Sequence, residues 1–233
     1  MQDERYIDFH THHPSLAGEC VIQDGIHTRG RHPWHLLTSA IHPSLTPSSS
    51  APSLSTTSGG LQFCCSHSPS LLAIGESGLD RLCDTPYALQ LQVFREEVAL
   101  SEQLQLPLFL HCVRAIDDVL RIRHELHARQ PIIWHGYRGG AEQIQQLLKP
   151  SEQSLPSTRE TGRDAFYFSF GYRHNREALI ACPLHRLLLE TDDDVLHPIA
   201  DLYATVADQL GIHIETLIRQ MHKNFHTLFR KES

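Results

Sequence analysis

Residues Leu106 to Ala115 read LPLFLHCVRA, a short apolar run that ends on a histidine and then turns polar. Near-continuous apolarity, rather than alternation, reads as a strand buried on both faces, with His111 delivered at its C-terminal end. The same design recurs outward in both directions. Arg5 to His10 (RYIDFH), Leu71 to Gly75 (LLAIG), Pro131 to His135 (PIIWH), Ala165 to Ser169 (AFYFS) and Leu187 to Glu190 (LLLE) read as strands, and Cys20 to Ile26 more weakly. Several intervening segments have helical period. In Leu89 to Leu104, for example, Leu89, Val93, Leu100 and Leu104 stack on one face. Helical periods also cover Ile199 to Leu210 and Ile214 to Phe229, with Gly211 as the stop between them. Buried strands alternating with helices define an α/β chain built on a parallel sheet.

A metal-binding side chain stands at or just past the end of five of these strands. These are His10 and His12 in DFHTHH, Glu76 in AIGESGLD, His111, His135 in IIWHGYRGG, and Asp192 in LLLETDDD. In a (β/α) barrel such groups converge on one face. Positions 10 and 12 lie two apart on a strand, so both imidazoles point to the same side and His13 to the other. Any one of these histidines alone reads as a packed or surface residue; five strand ends together do not. Asp192 also fits a helix N-cap ahead of DDVLHP.

The chain has 233 residues, of which 18 are histidine, and a formal net charge of −7. That charge speaks against a broad electrostatic platform for nucleic acid, though bound cations would supply positive charge locally. No run of apolar residues is long enough to span a membrane, and the N-terminus leaves no room for a secretory signal before the first strand. The six cysteines form no C-x-x-C pair, and they read as reduced thiols of a cytoplasmic protein. Pro43 to Ser70 holds ten serines and four prolines, the composition of a flexible insertion, and Lys149 to Arg163 is a second polar one. Residues 1–233 otherwise read as one hydrolase-sized domain with no evident obligate protein partner.

The motifs resemble those of the TatD-type metal-dependent deoxyribonucleases. DFHTH is similar to that family's D-x-H-x-H, GESGLD to its G-E-x-G-L-D, HCVRA to its H-x-R-x-A and LLLETD to its closing E-T-D. HPWH (His32 to His35) resembles the G-x-H-P loop, and Asn224-Phe225 with Leu228-Phe229 the N-x-x-x-L-F ending. The resemblance implies a TIM-barrel hydrolase with two divalent metal ions (zinc, manganese, iron or magnesium) bridged by Glu76. His10, His12 and Asp192 would complete one site, and His111 and His135 the other. It also implies nucleic acid as substrate, single-stranded DNA or strand ends; exonuclease rather than endonuclease action is expected because one compact acidic domain offers little surface to grip a long duplex. Two departures alter the substrate-facing loops: Arg81 stands where an aromatic is usual, and GYRGG replaces aromatic-Ser-Gly. The stretch between His12 and His32 is also short, so the expected barrel is distorted or lacks one β/α unit near the N-terminus.

Two cations about 3.5–4 Å apart activate water and stabilise both oxygens of an in-line displacement. Imidazoles favour zinc, iron or manganese over magnesium. Asp192 is a candidate both to coordinate and to accept the proton of the attacking water, and Glu76 to set the metal separation. Asp8 is placed to orient one of the following histidines. Arg114 and Arg138, each three residues past a ligand, suit bidentate phosphate binding, with a solvated surface role as the competing reading. Trp34 and His32 lie in one loop, where Trp34 suits stacking on a base or packing in the core. The rival functions are an amidohydrolase-type reaction on a small amide, ester or phosphotriester, and a non-catalytic protein with a retained metal site. Only Lys149, Lys223 and Lys231 are available as a carbamylated metal bridge, none at a strand end, which disfavours the usual amidohydrolase variant.

Overall fold

The computed structural model describes residues 6–14, 19–23, 28–32, 71–149 and 166–229. Trp34 and the insertion 43–70 lie outside them, as does all of the second insertion except Lys149. Eight strands run β1 (Tyr6–Thr11), β2 (Glu19–Gln23), β3 (Thr28–Arg29), β4 (Ala73–Asp80), β5 (Leu108–Val113), β6 (Ile132–Trp134), β7 (Phe166–Phe170) and β8 (Leu187–Leu189). The helices are α1 (Tyr87–Leu104), α2 (Ile116–Glu125), α3 (Ala141–Leu147), α4 (Arg176–Ala181), α5 (Ile199–Leu210) and α6 (Ile214–Phe229).

Strands β3 to β8 form one parallel sheet in sequence order, and β1 pairs with β2 in a second. Backbone bonds stitch the two sheets together beside β8: Asp192 N–H donates to the His10 carbonyl at 3.0 Å and His12 N–H to the Asp192 carbonyl at 3.2 Å. The staves therefore follow one another around a TIM-like barrel from β3 through β8 and β1 to β2. Among the described residues no ladder joins β2 to β3. Four residues separate those two strands, whereas a helical crossover takes a dozen or more. Both strands are present, so the distortion near the N-terminus is a missing helical crossover and not the expected loss of a whole β/α unit.

The apolar runs become the barrel core: Ile7, Phe9, Ile74, Phe109, Ile133 and Phe168 are fully buried. Helices α5 and α6 start and stop where their periodicity places them, and Gly211 caps α5 at φ 64°. Strand β4 differs from expectation. It runs on to Asp80 rather than ending at Gly75, so Glu76 sits within the strand and not past its end. Gly75 and Gly78 make this possible, with φ of 150° and 155°. A Cβ at Gly78 would lie 1.8 Å from the His111 carbonyl oxygen, so β4 and β5 can close up only on glycine.

The fold is latched from its C-terminus. Asn224, buried on α6, donates through Nδ2 to the carbonyls of Leu184 at 2.8 Å and Leu187 at 2.7 Å. The Tyr203 hydroxyl on α5 donates to the Ile7 carbonyl at 2.9 Å, and Phe225 packs on Phe9. One helix thereby fixes the entry into β8 and backs β1. Asn224→Ala strands both carbonyls and should cost about 2 kcal/mol of unfolding free energy. Urea denaturation monitored by circular dichroism checks this, with metal content expected to stay unchanged.

Candidate metal centre

Strand β1 turns His10 and the next-but-one residue His12 to the same side. Both reach one oxygen of Glu76: His10 Nε2 lies 2.8 Å and His12 Nε2 3.1 Å from Oε1. From the other side of the barrel, His135 Nε2 and His32 Nδ1 each approach Oε2 to 3.4 Å. Asp192, held in a left-handed conformation at φ 55° past β8, brings Oδ1 to 3.4 Å from His12 and 3.7 Å from His10. Helix α5 begins only at Ile199, behind Pro198, so Asp192 caps no helix and its carboxylate faces the cluster.

One donor atom each from His10, Glu76, His135 and Asp192 lies within 4.8 Å of the others, and His12, Asp192 and Asp193 form a second such group. His111 falls in neither. Its Nε2 faces Asp80 Oδ2 at 3.3 Å, while its ring lies 5.4 Å from that of His135. The extension of β4 explains this: Gly78 pairs with His111, so Asp80, two residues on, projects from the same face diagonally across from it. Arg114 and Arg138 are exposed on the loops beyond β5 and β6 and touch no cluster member. Asp8 does not reach an imidazole. It accepts from Thr191 Oγ1 at 2.6 Å, Thr191 N–H at 3.1 Å and His10 N–H at 3.3 Å, and so holds the backbone of both ligand segments.

Glu190, within LLLETD, is a functional residue that the motif reading misses: it lies fully buried beside His135. It accepts a hydrogen bond from Gly136 N–H and stands 3.9 Å from His135 Nδ1. The signal was available: a carboxylate closing an apolar strand is seldom buried without a partner.

The electrostatics fit a cation. Burial opposes ionisation of Glu76, but the His135 charge and the bonds from His10 and His12 outweigh it and hold the carboxyl well below its usual range. Burial likewise opposes protonation of His135, but the Glu76 charge outweighs it and raises the imidazole to about 9. Burial and the neighbouring His135 charge lower His111 to about 4. The proton on His135 thus stands where a metal would supply positive charge. Glu76 Oε2, His10 Nδ1 and both His135 ring nitrogens are buried without a hydrogen bond, and such orphaned donors and acceptors call for an unseen partner. Carboxylate and imidazole together suit a divalent transition ion.

A parallel barrel with carboxylate and imidazole side chains converging at its mouth defines a metal-supported hydrolase scaffold. A family model described as "TatD related DNase" matches residues 26–230, and the chain belongs to that family. Among curated relatives it is 33% identical over 136 residues to the uncharacterized metal-dependent hydrolase YabD of Bacillus subtilis, covering 55% of this chain and 48% of that one. It is 29% identical over 184 residues to the 3'-5' ssDNA/RNA exonuclease TatD of Klebsiella pneumoniae, covering 69% and 66%. The chain thus spans about half to two thirds of these relatives' lengths. The TatD-family hydrolase of Entamoeba histolytica superposes with a TM-score of 0.55 at 17% identity, covering 69% of this chain and 64% of that one. The Escherichia coli homologue YJJV gives 0.53 at 22%, covering 68% and 64%. Both support the barrel fold.

Cys20 is disulfide-bonded, which corrects the reading of six reduced thiols; Cys83, Cys112 and Cys182 are free. No helix among the described residues is long and apolar enough to cross a membrane.

Two outcomes follow from this geometry. His135→Ala removes the one ligand opposite His10 and should lose bound zinc or manganese after dialysis, whereas His111→Ala should retain more; elemental analysis reads both, and full occupancy in His135→Ala contradicts the assignment. Glu97, buried on α1, accepts a bond from Arg31 N–H next to His32, and burial raises its carboxyl to about 8. The folded state therefore keeps this proton to higher pH than the unfolded chain does. The stabilisation is complete below about 4.5 and is lost as pH rises through 8. Glu97→Gln should flatten that decline, seen as a stability difference moving in the variant's favour between urea melts at pH 5 and pH 9.

Proposed function

We propose that this chain hydrolyses phosphodiester bonds of nucleic acid with two divalent ions, acting as an exonuclease on single strands or strand ends. The observation that carries the reading is the convergence of His10, His12 and His135 on the buried carboxylate of Glu76, with Asp192 beside the first two. Family membership and the printed activity of the Klebsiella relative support it. Bound divalent cations supply Lewis-acid polarisation of the phosphoryl group and make water a better nucleophile.

The chain's own residues do the rest. Glu76, ionised at the barrel centre, presents both its oxygens and so suits a bridging role. Asp192 is ionised and partly open to solvent, and its second oxygen is the base that accepts a proton from the attacking water. Glu190 and Asp8 hold the ligand backbones, Glu190 at Gly136 next to His135 and Asp8 at His10 and Thr191. His32, against Glu76, lines the floor on which the substrate phosphate rests. Arg138 and Arg114 have no hydrogen-bond or ion-pair partner among the described residues, which leaves their guanidinium groups available to hold phosphate oxygens. A compact chain of net charge −7 offers little surface to grip a long duplex, and this favours ends.

Cytoplasmic action goes with this reading on the free thiols of Cys83, Cys112 and Cys182; the Cys20 disulfide stands against it. Glu76→Gln keeps volume but removes the charge that both ions share. Turnover of single-stranded DNA with Mn²⁺ should fall by roughly a thousandfold or more. EDTA should abolish wild-type activity and Mn²⁺ restore it. Near wild-type turnover by Glu76→Gln would defeat the two-ion reading.

A further inference from the structure

We propose that Arg81 and Arg114 together form a subsite for a second phosphate of the substrate strand, next to the one cleaved. This deepens the phosphodiesterase reading and rests on it. Strand pairing carries the argument. Asp80 pairs with Val113, the last residues of β4 and β5, so Arg81 and Arg114 leave the barrel mouth side by side. Arg81 N–H also donates to the Val113 carbonyl at 3.2 Å. Neighbouring strands lie about 4.8 Å apart, a spacing at which two guanidinium forks can share one phosphate. Asp80 itself faces His111, which ties this edge to the cluster three residues below Arg114.

Arg81 is held in place rather than neutralised. Its guanidinium lies 4.2 Å above the Tyr87 ring, and its Nη2 donates to Asp118 Oδ2 at 2.6 Å. Asp118 also accepts from Arg121 at 2.6 Å and from the Tyr87 hydroxyl at 2.7 Å. Arg121 pairs in turn with Glu125, and Glu125 with Arg95, so the network sets three guanidinium groups against two carboxylates and keeps a positive charge. Arg81 remains about half exposed at 48%. Arg114 is exposed, in a left-handed conformation at φ 54°. Exposed Asp84 and Asp117 each follow one of the arginines by three residues; both arginines stand at strand ends, whereas Asp117 belongs to the first turn of α2. Arg81 also stands where the family motif calls for an aromatic, so the subsite is a property of this chain.

The test compares Mn²⁺-loaded wild type with Arg81→Gln on two substrates. One is bis(p-nitrophenyl) phosphate, which has a single phosphate, and the other is a single-stranded oligothymidylate. The ratio of kcat/KM for the oligonucleotide over the small ester should fall roughly tenfold, mainly through KM. Binding of a hydrolysis-resistant phosphorothioate oligonucleotide, read by fluorescence anisotropy, should lose about 0.7 from its logarithmic salt slope. Arg81→Lys should restore part of both. Arg114→Gln, which breaks no side-chain contact among the described residues, should give the same pattern and covers the case in which Arg81→Gln folds poorly. Equal losses on both substrates, or an unchanged ratio and salt slope, would overturn the subsite. Failure of the phosphodiesterase reading shows separately, as wild-type protein that turns over neither substrate, and takes the subsite with it.

Discussion

Glu76 ionises at the centre of the barrel, almost wholly out of water, because imidazoles face both of its oxygens. An unpaired carboxylate buried this deeply would take up a proton instead. Everything around the cluster serves that one charge. Gly75 and Gly78 let β4 pass close enough to β5 to carry Glu76 inward. The two-residue period of β1 stacks His10 and His12 above one of its oxygens. Across the barrel, His135 is raised in pKa by the same carboxylate whose pKa it depresses, so the pair is one coupled unit. A divalent ion held by His10, Glu76, His135 and Asp192 would take the place of the His135 proton in a site already arranged for positive charge.

The seam between β8 and β1 is the second constraint, since it brings the two ends of the chain to the same place. Asp8 is the device. Its two oxygens take the N–H and hydroxyl of Thr191 and the N–H of His10, so the segments bearing His10 and Asp192 are fixed to each other through backbone. Asn224 and Tyr203 brace the same seam from outside. Burial raises Asp8 to about 7 despite those bonds, which places the cost of this arrangement in one carboxyl rather than across the barrel.

Much of this was legible in the sequence, for a physical reason. A ligand side chain interrupts an apolar run, and interruption at the same end of successive runs is a pattern that packing alone does not produce. The α/β class, α5 and α6, and the strand ends carrying His10, His135 and Asp192 were readable in this way. Strand β3 is two residues long and offers no period to read. The true end of β4 was hidden because glycine and serine look like a loop, whereas here the glycines keep the strand going. That extension moves Asp80 opposite His111, so the division of ligands implied by the family resemblance differs from the grouping in space. Asp8 is legible as a supporting carboxylate, but its partner Thr191 and the Gly136 partner of Glu190 lie in no local window.

Asp8 and Thr191 are 183 residues apart in the chain, and this separation has a kinetic consequence. Contacts so distant in sequence are the last that a growing or refolding polypeptide can close. The cluster therefore cannot exist as a partial site on a nascent chain: His10 and His12 emerge first and wait for nearly the whole protein before Asp192 arrives. Metal capture is in this sense a report on completed folding. A chain halted before β8 would carry most of its ligand residues yet lack Asp192 and the Asp8–Thr191 seam that fixes His10.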